Sequence, residues 1–243
     1  MNLLAELTGR LSDQWLRWQG LPGLMFVCVV LVGNHLGYAH AIDVGEAGRF
    51  LNRQSSWLAT LTTIQVIAVV IALVITSAVA GLTATLAGVG VEAVVLGGKR
   101  PARLTGELTA MEEHFRNIYL LDVATAWPHL WLRFPAEHRE QVTGNRAGIR
   151  HAATLVGWGI LTSAVSVIWP IAWIAVLGLV LVGIHLMRQS ISAYSQTVAV
   201  LMMHHAPELA SQLGFENSGR LDRAVGSKLQ YYLQGDEPPA PKA

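Results

Sequence analysis

The sequence predicts an all-α integral membrane protein with four transmembrane helices, two of which extend into the cytoplasm. Only 14% of its 243 residues are charged and 52% are hydrophobic, whereas an average soluble domain carries about 25% charged residues. The mean hydropathy is +0.42. The apolar residues are gathered into long blocks and do not follow the spacing of amphipathic core helices. The architecture therefore depends on how many crossings these blocks contain.

Three of the four crossings lie in the first and last apolar blocks. The first block, about 21–39, suits one helix, because roughly 20 apolar residues span the hydrocarbon core. The last block, 151–187, is too long for one span and just long enough for a hairpin. Its turn is expected near Pro170, because proline ends the preceding helix and the adjacent Trp169 favours the headgroup boundary.

The middle block, about 57–97, could hold one long helix or two spans. One helix of about 40 residues would be roughly 60 Å long, well beyond the bilayer. A single crossing places 15 of the 17 Lys and Arg residues on one side, as the positive-inside bias requires. Two crossings would put the eight basic residues of 98–150 outside. We therefore expect one long helix and both termini in the cytoplasm.

Four segments lie outside the predicted spans. Residues 1–20 carry charges before any apolar run, which favours an interfacial amphipathic helix over a signal peptide. Residues 98–150 predict a cytoplasmic helical insertion, and the apolar pattern of the last span continues as a cytoplasmic helical extension over 188–213. Residues 214–243 are polar and end in a proline-rich run, which is typical of a disordered tail.

An aromatic segment interrupts the predicted insertion. It contains Trp127, Pro128, Leu130 and Trp131. Proline breaks helices and tryptophan favours the headgroup boundary. We expect this segment to end the preceding helix and either to lie against the inner headgroups or to dock a protein partner.

Small residues recur at every fourth position of the long middle helix. They form two rows: Ser77, Gly81 and Thr85, and Ala80, Ala84 and Gly88. Such rows let two helix backbones approach closely in lipid. They predict a helix-packing face, which could lie within the chain or between protomers.

Glu92 is the only charged residue within any predicted span. A carboxylate at mid-membrane costs about 3 kcal/mol or more, so such residues often mark functional sites. Counted from Trp57, however, about 20 residues reach Ser77, which places Glu92 near the cytoplasmic side. Pairing with Lys99, Arg100 or a neighbouring helix is the first interpretation, and a proton or ion site is the alternative.

Nine histidines raise the question of a haem or metal site. His151 and His185 lie near the inner ends of the last two spans, where a hairpin could bring them together. The adjacent His204 and His205 diverge on a helix, and no zinc-protease, paired-cysteine or EF-hand motif is present. We therefore expect interfacial or hydrogen-bonded histidines, with no cofactor and no metal. A haem-binding electron carrier is retained as an alternative function.

Catalytic signatures do not occur in the sequence, because it lacks a nucleophile elbow, a phosphate-binding loop and a dinucleotide fingerprint. We expect a non-enzymatic membrane module that contacts lipid and either docks a membrane partner or forms homo-oligomers. No nucleic-acid partner is expected. The second hypothesis is a pore-forming or ion-conducting effector lined by the small-residue rows, with Glu92 at its inner mouth.

Short motifs near the N-terminus and in the insertion carry a resemblance to a known family. They are Leu21-Pro22-Gly23, Leu36-Gly37-x-Ala39-His40-Ala41-x-Asp43, Tyr119, Asp122, Trp127-Pro128-x-Leu130-Trp131, Pro135, Arg139 and Tyr194. With these motifs the chain resembles a family of actinobacterial multi-span membrane proteins over about residues 1–60 and 90–215. The resemblance implies a multi-span fold, a bacterial cytoplasmic (inner) membrane location and no known activity. It suggests a companion of bacterial conflict or signalling systems.

Overall fold

The computed structural model describes residues 21–38, 41–96 and 102–235. Within these ranges the protein is 85% helical and has no strand, which confirms the all-α prediction there. The described helices are α1 Leu21–Leu36, α2 Val44–Ala59, α3 Thr63–Leu96, α4 Ala102–Tyr119, α5 Val123–Trp131, α6 Ala136–Ser166, α7 Ala172–Gln212 and α8 Arg223–Gln234. The interfacial helix predicted for 1–20 and the last eight residues of the predicted tail lie outside the described residues. The rest of that tail, predicted to be disordered, contains the helix α8.

Two of the described helices, α3 and α7, are long and apolar enough to cross a membrane. In their most apolar stretches, only 17% of the residues of α3 and 22% of those of α7 are buried within the protein. A core helix of a soluble protein is mostly buried, so this exposed apolar surface is compatible with membrane association. α1 is a shorter apolar helix.

The chain folds into two compact units. Unit 1 comprises Met1–Val91 and Ala152–Gly183, and unit 2 comprises Glu92–His151 and Ile184–Ala243. Each internal boundary falls inside a helix, in α3, α6 or α7.

Within unit 1, α6 and α7 form an antiparallel hairpin with Pro170 in the turn. A Cβ added to Gly159 would lie 2.7 Å from the Val180 side chain, and one added to Gly183 would lie 2.7 Å from Val156. The second contact lies farther from the turn than the first on both helices, as expected for an antiparallel pair. Close packing at these two glycines holds the hairpin together.

α1 runs parallel to α6 within unit 1. The ring of Phe26 lies 5.8 Å from that of Trp158, and a Cβ on Gly33 would lie 3.1 Å from Trp169. The indole Nε1 of Trp169 also donates a hydrogen bond to the backbone carbonyl of Ala41 at 3.0 Å. The turn after α6 is thus anchored to the chain that follows α1.

α3 runs antiparallel to α6, and their backbones approach closely. A Cβ on Gly88 would lie 2.8 Å from the Cα of Thr154, and one on Gly157 would collide with the carbonyl oxygen of Ala84. The apolar segments α1, α3, α6 and α7 of unit 1 therefore alternate in direction along the chain.

The middle apolar block contains one continuous helix, α3, but its start differs from the predicted one. Trp57 belongs to the preceding helix α2, which the sequence analysis did not predict. Asp43 caps α2, because its carboxylate accepts a hydrogen bond from the backbone amide of Glu46 at 3.0 Å. Arg49 pairs with Glu46 at 3.0 Å in the first turns. Local capping and charge pairing thus favour a helix between the first two apolar blocks.

Unit 2 is built around a hydrophobic core to which α4, α5, α6, α7 and α8 contribute. Its largest fully buried side chains include Phe115, Leu121, Leu130, Phe134, Met202 and Leu229. α8 approaches the end of α4 so closely that a Cβ on Gly226 would collide with the carbonyl of Tyr119. The backbone amide of Asp122 donates to the Gln230 side chain at 2.8 Å. α8 is therefore fixed to the turn between α4 and α5.

The aromatic segment was expected to interrupt the helical structure, but its first half is itself helical. It belongs to α5, which contains Pro128. Proline removes one backbone hydrogen bond and crowds the preceding turn. Val123, Ala126 and Leu130 are nevertheless buried on one face of α5. Burial of this face stabilises the helix in spite of the proline.

Candidate docking site

An open groove of about 500 Å³ lies beside α5 in unit 2. It is lined by Trp127, Pro128, Trp131, Leu132, Val142, Thr143, Arg146 and Tyr194. A smaller depression of about 260 Å³ shares Trp127, Pro128, Arg146 and Tyr194 with it, so the two are continuous. We call the groove and this extension the tryptophan groove.

The aromatic wall of the tryptophan groove follows from helical spacing. Trp127 and Trp131 are four residues apart on α5 and therefore lie on one face of the helix. Their rings are 6.0 Å apart, and both pack against Phe134, at 5.6 Å and 6.4 Å between ring centroids. Phe134 is only 1% exposed. A buried phenylalanine thus supports two half-buried tryptophans.

The opposite wall is held by polar contacts between α6 and α7. The side-chain amide of Asn145 donates to the Thr197 hydroxyl at 2.9 Å. A Cβ on Gly148 would lie 2.9 Å from the Ser190 hydroxyl oxygen. These contacts join the two helices that carry Arg146 and Tyr194.

Arg146 and Tyr194 contribute the polar character of the groove. Arg146 is exposed and Tyr194 is half-buried. Glu112 of α4 lines the extension of the groove. A mixture of tryptophan, tyrosine and arginine around an open apolar surface is typical of the centres of protein interfaces.

The four residues predicted to dock a partner do not share one environment. Trp127, Pro128 and Trp131 line the groove. Leu130, the fourth predicted docking residue, does not line it; it is only 1% exposed and belongs to the core. Leu130 lies with Val123 and Ala126 on the buried face of α5. Arg146 also lines the groove but was not predicted as a docking residue, although Val142, Arg146 and Ile149 follow one another at helical spacing.

The two small-residue rows of α3 are used inside the chain. Ser77, Ala80, Gly81, Ala84 and Gly88 are buried, and Thr85 is half-buried. Ala84 and Gly88 meet α6, and the Ser77 carbonyl faces α1, where a Cβ on Gly23 would collide with it. Of the two arrangements that the rows allowed, the structure has packing within the chain.

Glu92 has a basic partner in unit 2. Its carboxylate lies 3.5 Å from the Nε of Arg150 on α6, and its side chain is 13% exposed. The first interpretation, a carboxylate paired with a neighbouring helix, fits this geometry. Lys99 and Arg100, the other predicted partners, lie outside the described residues.

Two of the described histidines contact residues of other types. His185 is within hydrogen-bond distance of Gln189, at 3.1 Å, and His35 stacks on Phe50 with ring centroids 4.3 Å apart. No group of three or more His, Cys, Asp or Glu residues in the described ranges could hold a metal ion.

One histidine pair nevertheless packs closely in unit 2. The rings of His138 and His205 are 5.4 Å apart, and the Nδ1 of His205 lies 2.8 Å from the Glu208 carboxylate. The Nδ1 of His138 and the Nε2 of His205 are buried without a hydrogen-bond partner in the described structure. Both rings adjoin Phe134. The pair therefore forms part of the packing beneath the tryptophan groove.

Asp122 precedes α5 and has an altered acidity. Burial raises the pKa of its carboxyl, but hydrogen bonds from Thr125 and Arg116 and the positive charge of Arg116 lower the pKa further than burial raises it. The net pKa lies below its ordinary value. The ionised carboxylate therefore stabilises the folded turn between α4 and α5.

Replacing Asp122 with asparagine is expected to lower the stability of unit 2 at neutral pH. A carboxyl whose pKa is depressed on folding stabilises the protein above its ordinary pKa, and this contribution is lost as the pH falls through the folded value. The difference between the two proteins should be constant from pH 7 to about 5 and should shrink below about pH 4. Chemical unfolding at each pH measures it.

Arg116→Gln provides the matched background for this experiment. Because Arg116 lies 3.3 Å from Asp122, the pH-dependent effect of Asp122→Asn should be smaller when the guanidinium is absent. An equal effect in both backgrounds would show that the ion pair does not cause the shift.

No known protein family, curated protein or solved structure matches this chain. The resemblance to actinobacterial multi-span membrane proteins therefore stays a prediction.

Proposed function

We propose that this chain is a non-enzymatic, four-span protein of the bacterial cytoplasmic membrane whose unit 2 docks a protein partner in the tryptophan groove. The spans are α1, α3 and the unit 1 parts of α6 and α7, with both termini in the cytoplasm. The alternating direction of these four segments within unit 1 supports this arrangement. An up-and-down bundle is the usual way for successive membrane helices to pack.

Exposed apolar side chains on all four segments support contact with lipid. They include Leu24, Met25, Ile67, Ile71, Val79, Leu86, Ile160, Ile174 and Leu177, each at least 44% exposed. Such a surface would be an aggregation hazard in water. It is the ordinary exterior of a helix bundle in hydrocarbon.

The tryptophan groove is the observation that carries the docking function. Trp127 and Trp131 present large aromatic surfaces at a fixed spacing, and Tyr194 and Arg146 lie opposite. These residue types dominate the binding energy of known protein interfaces. The buried Phe134 and the braced α6 and α7 preorganise the groove, so that little ordering is required on binding.

The other hypotheses receive less support. A pore lined by the small-residue rows would need those rows free, but they pack against α1 and α6. Its inner carboxylate, Glu92, already pairs with Arg150. Homo-oligomerisation would need a surface other than these rows.

Site-specific photocrosslinking in living cells tests the proposal. Leu132 lines the groove and is 78% exposed, whereas Val200 of α7 is 65% exposed and lies outside the groove lining. A photoreactive residue at 132 should form an adduct with one protein, and the same residue at 200 should not. Equal adducts at both positions would contradict docking in the groove.

Tryptophan substitutions test the energetics of the same interaction. Trp127→Ala or Trp131→Ala should each weaken binding of the captured partner by about 2 kcal/mol, or roughly 25-fold in Kd, because interface tryptophans are hot spots. Binding in nanodiscs measures the change. Val200→Ala is the matched control and should leave Kd unchanged. Unchanged Kd in both tryptophan variants would refute the proposal.

A further inference from the structure

The tryptophan groove adjoins the end of α8. A depression of about 230 Å³ is lined by Tyr232 and Leu233 of α8 together with Leu132 and Arg133. Leu132 also lines the groove. α8 ends at Gly235, which adopts the left-handed conformation with φ of 77°. The chain that follows Gly235 therefore starts near this depression, which shares Leu132 with the groove.

The segment after Gly235 is long enough to follow the groove. Its eight residues, 236–243, have the sequence Asp-Glu-Pro-Pro-Ala-Pro-Lys-Ala. A proline-rich chain extends about 3.1 Å per residue, so eight residues can span roughly 25 Å. The nine-residue helix α5, which carries the aromatic wall, is about 13 Å long. The segment is therefore long enough to extend along the aromatic wall.

The acidic and proline residues of the segment follow the same order as the basic and aromatic residues that they would contact. Asp236 and Glu237 come directly after α8, where Arg133 lines the neighbouring depression. Three prolines follow, and proline-rich segments bind in grooves lined by aromatic side chains because their extended form is preorganised. The aromatic wall lies beyond Leu132, at Trp131 and Trp127.

We infer that residues 236–241 of this chain occupy its own tryptophan groove, with Asp236 and Glu237 beside Arg133 and the prolines against Trp131 and Trp127. The inference rests on the proposed function, since the segment and the partner share one site. A tethered segment has an effective concentration in the millimolar range. If it binds with a Kd of about 0.1 mM, it weakens the apparent affinity of the partner about tenfold. The tail thus acts as an autoinhibitory competitor.

Contact quenching of a bimane label by tryptophan tests the inference in the full chain. The label is placed on Ala240→Cys in a Cys28→Ser background, which removes the single native cysteine. We expect quenched fluorescence in nanodiscs. The double variant Trp127→Phe and Trp131→Phe should lose most of the quenching, because phenylalanine keeps the apolar packing without quenching bimane. Trp173→Phe in unit 1 is the control and should retain it.

A charge exchange tests the predicted direction of the segment. Arg133→Glu should release the tail and reduce quenching, and adding Asp236→Lys with Glu237→Lys should restore it. Lys228→Glu changes the charge of an exposed residue on α8 that does not line either depression, and it should have no effect. If the lysine pair fails to rescue Arg133→Glu, the predicted placement of the acidic residues is refuted.

Further outcomes separate this inference from the proposed function. Quenching that persists in the double phenylalanine variant refutes the inference. Restoration of that variant's quenching by added unlabelled wild-type protein also refutes it, because the tail would then enter a second copy. If quenching is absent but the crosslink at position 132 persists, the tail inference fails and docking stands. If the tail occupies the groove but truncation after Gly235 yields no partner adduct, the docking function fails alone.

Discussion

Replacing Gly157 with valine is expected to disrupt the packing of α3 against α6 in unit 1. Even a Cβ at this position would collide with the Ala84 carbonyl, and it would lie 2.9 Å from the backbone nitrogen of Gly88. Both are backbone atoms, so no side chain can rotate away and the helices must separate. Overpacking a core costs about 1–3 kcal/mol and occasionally more. We expect a loss at or above the upper end of this range.

Unfolding of the purified protein in bicelles or nanodiscs measures this loss. Gly88→Val should behave similarly, because its Cβ would lie 2.8 Å from the Cα of Thr154. Gly90 provides the matched control on the same helix, since nothing lies within 4 Å of an added Cβ there. If Gly157→Val and Gly90→Val are equally stable, the close contact between α3 and α6 does not exist.

The all-α class could be predicted because it depends on composition and local pattern. Long apolar blocks with few charges form helices wherever the surroundings offer no hydrogen-bond partners to the backbone, as in lipid. The packing partner of α3 could not be predicted in the same way. Ala153 and Gly157 on α6 form a matching small-residue pair, but many helices carry such pairs. Which two rows meet is a long-range property of the fold.

The aromatic segment shows where local rules fail. Pro128 predicts a break in the helix, and the intrinsic penalty of proline is about 3 kcal/mol. Burial of Val123, Ala126 and Leu130 on one face opposes this penalty and keeps α5 helical. Once the segment is a helix, Leu130 joins Val123 and Ala126 on the buried face, whereas Trp127 stays half-buried. The residue types of the docking segment could be predicted from the sequence. Which of these residues line the groove could be predicted only once the segment was known to be a helix.

The second wall of the groove could not be found from sequence. Arg146 and Tyr194 lie on different helices and meet only through the antiparallel packing of α6 on α7. Helical spacing could identify each of them as a surface position, but no local pattern joins them to Trp127. A single sequence therefore suggests the aromatic half of the site and leaves out its polar half.

Replacing Phe134 with alanine is expected to cause a large loss of stability in unit 2. Phe134 is 1% exposed and contacts Trp127, Trp131 and His205 at centroid distances between 5.1 and 6.4 Å. Truncating a buried phenylalanine to alanine costs about 3–5 kcal/mol, because apolar burial is lost and a cavity remains. Chemical unfolding combined with hydrogen exchange of the peptides from α5 and α6 measures the effect.

The same substitution links stability to docking. Without Phe134 the two tryptophans lose their support, so their fluorescence should shift to the red and partner adducts at position 132 should decline. Leu132→Ala, two residues earlier and 78% exposed in the wild type, should change stability by no more than about 0.5 kcal/mol. Leu130→Ala should resemble Phe134→Ala in stability, since Leu130 is a core residue. If Phe134→Ala leaves tryptophan fluorescence and exchange unchanged, the buried phenylalanine does not preorganise the groove.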